Sequence, residues 1–192
     1  MVRLIGAAIG WFGFVLGFTL LYQVSVVVIA LGGACANGGA YEIAVECPDG
    51  VALLAPAGIW GGIIAVGAWL FLAGGFGTPL PAWAWFILFG GLSVPFALNG
   101  GEGGWIIAVV FFAMGVVPLA LEFRANPLRA LIGSYDVNGD AFLFTDNSRR
   151  ALLSSNAPLD GVVVPTSVHG LLGFGVPLVA SALGVLAGFA LF

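Results

Sequence analysis

A chain of 192 residues with 61% hydrophobic and 7% charged residues, and a mean hydropathy of +1.15, is not an ordinary soluble domain, because soluble domains run near a quarter charged. A formal charge of −4, five basic residues and no lysine leave no basic surface for nucleic acid. The length fits one compact bundle rather than several domains.

The fold class predicted from this composition is all-α, a polytopic membrane bundle of about five transmembrane helices. About twenty apolar residues span a bilayer core, and the candidate stretches are residues 4–31, 55–73, 81–98, 105–121 and 168–192. The first follows Arg3 and is about twice as long as the 7–15-residue apolar core of a secretory signal, so it reads as a retained span. It exceeds the bilayer and must tilt or protrude. Gly6, Gly10, Gly13 and Gly17 lie along one of its faces, and Gly58 and Gly62 add small residues to the second span. Gly170, Gly173, Ser181, Gly184 and Gly188 form a comparable stripe on the last. Small residues let helix backbones approach closely where lipid supplies no hydrophobic drive. Packing within the chain is the plainer use of these stripes, and self-association through the first span is the other.

Residues 32–54 form a polar island between the first two spans and hold both cysteines, Cys35 and Cys47. Two cysteines in a loop outside the bilayer favour a structural disulfide in an oxidising compartment, worth about 3 kcal/mol. The pair is not a CxxC, which weakens the reading as a redox-active dithiol.

The link Gly74–Pro79, GGFGTP, is a tight uncharged turn between spans two and three, and residues 99–104 are a glycine-rich link between spans three and four. Pro95, Pro118 and Pro177 are candidate kinks. Residues 122–165 are the longest hydrophilic stretch. Its opening, EFRANPLRALIG, has the composition of an interfacial helix, with Phe123, Leu128, Leu131 and Ile132 on the membrane surface and Arg124 and Arg129 toward anionic headgroups. Asn138-Gly139 between extended residues predicts a hairpin. Asp136, Asn138 and Asp140 also occupy positions 1, 3 and 5 of a calcium loop. That match fails at Ala141, Phe144 and Asn147, so the hairpin is the preferred reading and calcium the weaker one.

Orientation follows from Arg3, Arg124, Arg129, Arg149 and Arg150, which all fall on the N-terminal side of a five-span chain. Cytoplasmic loops are the ones enriched in Lys and Arg. The expected topology therefore has the N-terminus and residues 122–165 inside, with the cysteine loop and C-terminus outside. Trp60 and Trp105 are expected near the outer boundary and Trp69, Trp83 and Trp85 near the inner one, as an interfacial belt. Trp11 fits that belt less well.

The cysteine loop, with its run from Cys35 to Ile43 (CANGGAYEI) leading to Cys47-Pro48-Asp49-Gly50, resembles small uncharacterised integral membrane proteins of high-GC bacteria. The resemblance covers the first two spans and their loop. It implies a multi-pass protein of the bacterial cytoplasmic membrane and brings no activity or site residues with it.

Chemistry-bearing residues are sparse. His169 is the one histidine, without a carboxylate at a telling spacing, and reads as interfacial rather than as a proton carrier. No phosphate-cradling glycine loop with a lysine and no metal-ligand cluster is present in the sequence, and no cofactor is expected. The reading is a non-enzymatic membrane protein acting through contacts, with lipid and another membrane protein or itself as partners. The alternatives are a small channel or transporter lined by Thr19, Gln23, Ser25 and Ser93, and a thiol–disulfide enzyme using Cys35 and Cys47.

Overall fold

The computed structural model describes residues 2–36, 45–125, 127–133, 135–136, 162–163 and 168–192. Five long helices dominate: α1 (Val2–Ala30), α2 (Val51–Ala68), α3 (Leu80–Asn99), α4 (Gly101–Ala125) and α6 (Val168–Leu191). A five-residue π-helical stretch, Trp69–Ala73, prolongs α2. A short helix α5 (Pro127–Ile132) and two two-residue strands, β1 (Tyr135–Asp136) and β2 (Val162–Val163), lie between α4 and α6. All five long helices are long and apolar enough to cross a membrane, so the chain has the architecture of a multi-pass helical membrane protein. Large apolar side chains point outward along them, Leu53, Phe71, Leu98 and Leu171 among the most exposed. Such a surface is stable only where the surrounding medium is itself apolar.

The centre of the bundle is α1. It packs against α2 and its π-helical end on one side, α6 on another, and α3 on a third. The buried cluster contains Ala7, Trp11, Phe14 and Val15 of α1, Ala65, Trp69 and Ala73 from α2 and its extension, Leu80 and Ala84 of α3, and Ala180 of α6. By contrast α4 packs chiefly along α3. An aromatic seam joins that pair, with Phe111 lying 5.5 Å from Phe89 and 5.4 Å from Phe96 between ring centroids. Edge-to-face geometry at these separations adds to the burial of the rings.

Glycines decide how closely the helices approach. A methyl group on Gly17 would stand 2.6 Å from the Gly58 carbonyl oxygen, and one on Gly58 would stand 2.6 Å from the Gly17 oxygen. The same face meets Ala65 at Gly13, Trp69 at Gly10 and Leu72–Ala73 at Gly6. The α1 stripe is therefore occupied along its length by α2. On α6, Gly184 lies against the backbone of Phe12 and Leu16, and Gly188 against Thr19. Gly184 and Gly188 thus meet a second face of α1, while Gly173 of the same stripe lies against Gly77 and Ile132. The obstacles at Gly17 are main-chain atoms, which cannot swing aside as a side chain can.

Three elements differ from their expected form. Helix α4 starts at Gly101, not near Trp105: Gly104 lies against the Phe96 carbonyl, so the glycine-rich link closes as a tight helical hairpin. Phe123 does not stand free of the bundle: its ring packs edge-on against Trp83, 6.0 Å away. Trp69, expected at the interface, is fully buried, because the π-helical stretch turns it onto Gly10 of α1.

Gly17→Ala should lower unfolding stability in detergent by about 1–3 kcal/mol, the usual range for overpacking a tight site. Gly61→Ala, on the same helix pair but with nothing within 4 Å of the added carbon, should stay within about 0.5 kcal/mol of wild type. Thermal unfolding of the two purified variants side by side checks the pair.

Candidate functional site

Two ends and one lateral cleft carry the features that could matter to function. At one end, Cys35 and Cys47 form a disulfide across a separation of 12 residues, with their Cα atoms 4.9 Å apart. The Ala36 N–H donates to Val45 O at 3.1 Å and the Cys47 N–H to Ala36 O at 3.3 Å, so the bridge is backed by main-chain bonds. Pro48-Asp49-Gly50 then turns the chain into α2, with the Leu54 N–H donating to Gly50 O at 2.8 Å. Gly50 sits at φ 88°, a conformation that favours glycine.

At the opposite end the turn Gly74–Pro79 is tied to three other parts of the chain through Thr78. The Trp11 indole N–H of α1 donates to Thr78 O at 3.0 Å. Thr78 Oγ1 donates to Leu131 O at 2.7 Å and also lies 3.4 Å from Gly173 O, while its N–H donates to Gly173 O at 2.9 Å. Nearby, the Trp83 indole N–H donates to Ala130 O at 2.8 Å.

Two pieces of local chemistry explain these acceptors. Pro177 has no N–H, so the carbonyl four residues earlier in α6, Gly173, is left without its helical donor. Ala130 and Leu131 are in the last turn of α5, where carbonyls have no partner within the helix. Gly133, at φ 74°, ends that helix and bridges to Phe76. The turn therefore acts as a cap for two helices at once. Sequence reasoning missed this node; its one signal was a lone hydroxyl in an otherwise apolar turn.

The four residues proposed to line a path do not converge on one. Thr19 donates to Val15 O at 2.8 Å, Ser25 to Leu21 O at 2.8 Å and Ser93 to Gly90 O at 2.6 Å, each within its own helix. Gln23 reaches across to Gly188 O of α6 at 3.0 Å and stitches the two helices together. What opens between helices instead is an apolar cleft of about 450 Å³, lined by Phe14, Phe18, Gly58, Gly62, Val66, Pro81, Trp85 and Leu88 among others. It exists because α2 and α3 both pack on α1 yet scarcely meet each other.

Trp69 is the exception to the rule of satisfied donors: its indole N–H is buried and finds no acceptor among the described residues. Among those residues no group of three or more His, Cys, Asp or Glu is placed to hold a metal ion. Asp136 pairs with Val162 in the β1–β2 ladder, while Asn138, Asp140 and the expected Asn138-Gly139 hairpin lie outside the described residues. His169 falls in the first turn of α6, at the Thr78 end.

Comparison with known proteins finds no match among family models, curated proteins or solved structures.

Replacing Cys35 and Cys47 together by Ser should cost about 3 kcal/mol by lengthening the unconstrained loop in the unfolded chain, with helical content unchanged. Circular dichroism during thermal unfolding reads both quantities. A thiol–disulfide enzyme would show a different pattern, losing oxidation of a substrate thiol at unaltered stability.

Proposed function

We propose that this is a non-enzymatic integral protein of a bacterial cytoplasmic membrane that works through contacts, as an accessory subunit of a membrane complex or as a self-associating scaffold. The observation that carries the reading is how the polar side chains within the spans are used. Thr19, Ser25, Ser93 and Ser181 each donate to a main-chain carbonyl of their own helix and Gln23 to one of α6, which leaves those hydroxyls and that amide engaged within the protein. Transport of ions or protons calls for polar groups gathered along a path, and the cleft beside α1 is walled by carbon.

In this reading the N-terminus and the Thr78 end face the cytoplasm, and the cysteine loop and C-terminus face outward. The support is the separation of the two chemical markers. Arg3 and Arg124 belong to the helix ends nearest Thr78, and the disulfide sits at the far ends of α1 and α2. Positive charge marks cytoplasmic loops and disulfides mark oxidising compartments. A rigid, bridged loop outside the membrane is suited to docking a neighbour. Self-association would use a face other than the α1 glycines, since α2 already covers them.

Extraction of the native membrane into polymer nanodiscs, followed by mass measurement of the intact particle, should yield either one stoichiometric partner or a defined homo-oligomer. A solitary monomer would overturn the proposal, and solute flux through reconstituted vesicles above that of empty ones would favour the transporter instead. Orientation is checked separately. In intact cells, a membrane-impermeant maleimide should label the cysteines only after an impermeant reductant has been added.

A further inference from the structure

The π-helical stretch Trp69–Ala73 runs directly into the turn that Thr78 secures. A π-helical stretch within an α-helix accommodates an extra residue, and such stretches are rare and concentrated at functional positions. Returning it to α geometry would turn everything that follows by about 100° and push it onward by about 1.5 Å. The turn cannot follow that movement while it is held. Trp11 grips the Thr78 carbonyl, Thr78 grips Leu131 and Gly173, and Phe76 bridges Gly133. Trp69 supplies independent evidence that the present register is imposed from elsewhere. It begins the π-helical stretch, is 0% exposed, and its indole N–H is left without an acceptor among the described residues, a condition costly enough that proteins rarely tolerate it.

We propose that the Thr78 node is a latch, which holds the end of α2 in its π register and, when released, frees that end together with α5 and the start of α6. The latch has two stems. Gly133 lies two positions before Tyr135, and Tyr135 and Asp136 pair with Val163 and Val162, whose strand leads into α6 and Gly173. The change of register exchanges backbone bonds to the fifth residue for bonds to the fourth. This coupling goes beyond the contact role proposed above and does not require it.

The test is hydrogen–deuterium exchange on the full chain in nanodiscs of phosphatidylcholine and phosphatidylglycerol, with no ligand added. Thr78→Val removes the hydroxyl and keeps the shape; Thr78→Ser keeps the hydroxyl. In the valine variant the amides of residues 69–79, 127–133 and 168–173 should exchange faster together, by about tenfold, since one buried carbonyl loses its donor. The serine variant should match wild type, and the α3–α4 seam should be unchanged in both. Acceleration confined to residues 74–79, acceleration spreading through α4, a serine variant that behaves like valine, or no change at all would each overturn the latch.

Discussion

Backbone contact along α1 is the constraint on which the other helices depend. Inside a bilayer, apolar side chains gain nothing by leaving lipid for one another, so helices associate through close packing and through the few hydrogen bonds they can share. That places a premium on positions where no side chain intervenes. Gly17 and Gly58 meet backbone to backbone, and Gly184 reaches the backbone of α1 from the other side. With α2 and α6 seated this closely on two faces, Trp11 and Phe14 of α1 join the core, while Ile5 and Ile9 remain exposed. The α3–α4 pair adds edge-to-face rings to the same kind of contact, since a methyl on Gly115 of α4 would stand 2.8 Å from the Gly90 nitrogen of α3, and Phe18 of α1 lies against Gly91 of α3.

The same absence of water governs the polar groups. A hydroxyl or amide in the hydrocarbon region must find an acceptor within the protein. Most find one in their own helix, as Ser25 does, and contribute little to tertiary structure. Gln23 and Thr78 differ because their acceptors belong to other helices. Gln23 clips α1 to α6 near the cysteine end, and Thr78 clips the α2–α3 turn to α5 and α6 at the other. Between these clips the contacts are apolar. The polar stitching thus sits toward the two ends of the bundle, where the prolonged helices leave carbonyls that proline or helix termination has exposed.

The spans, the cysteine bridge and the small-residue faces were legible in the sequence because each is a local signal. A long apolar run, two cysteines in one polar island, and glycines three or four residues apart need no knowledge of distant segments. The Thr78 node was not legible for the opposite reason. It gathers Trp11, Thr78, Leu131 and Gly173 from four places, and one of its acceptors exists only because Pro177 withholds a donor. Trp69 misled for a related reason. Its position in the chain suits an interfacial belt, but the π-helical stretch rotates it inward, and nothing in WLFLA announces that geometry. Gly103 and Gly104 read as part of a link and belong to helix α4, because glycine in sequence does not tell a connection from a close approach such as that of Gly104 to Phe96.

The cleft beside α1 follows from these same rules. Helices α2 and α3 are consecutive, and short connections usually leave consecutive antiparallel helices in contact. Here the turn between them is drawn toward α5 and α6 by Thr78, and the two helices are seated on different faces of α1. Their axes are separated at the cost of contact with each other. Phe14 and Phe18 of α1 form the floor of the gap that results, with Val66 on one wall and Leu88 on the other. The opening thus lies where α2 and α3 are seated on different faces of α1.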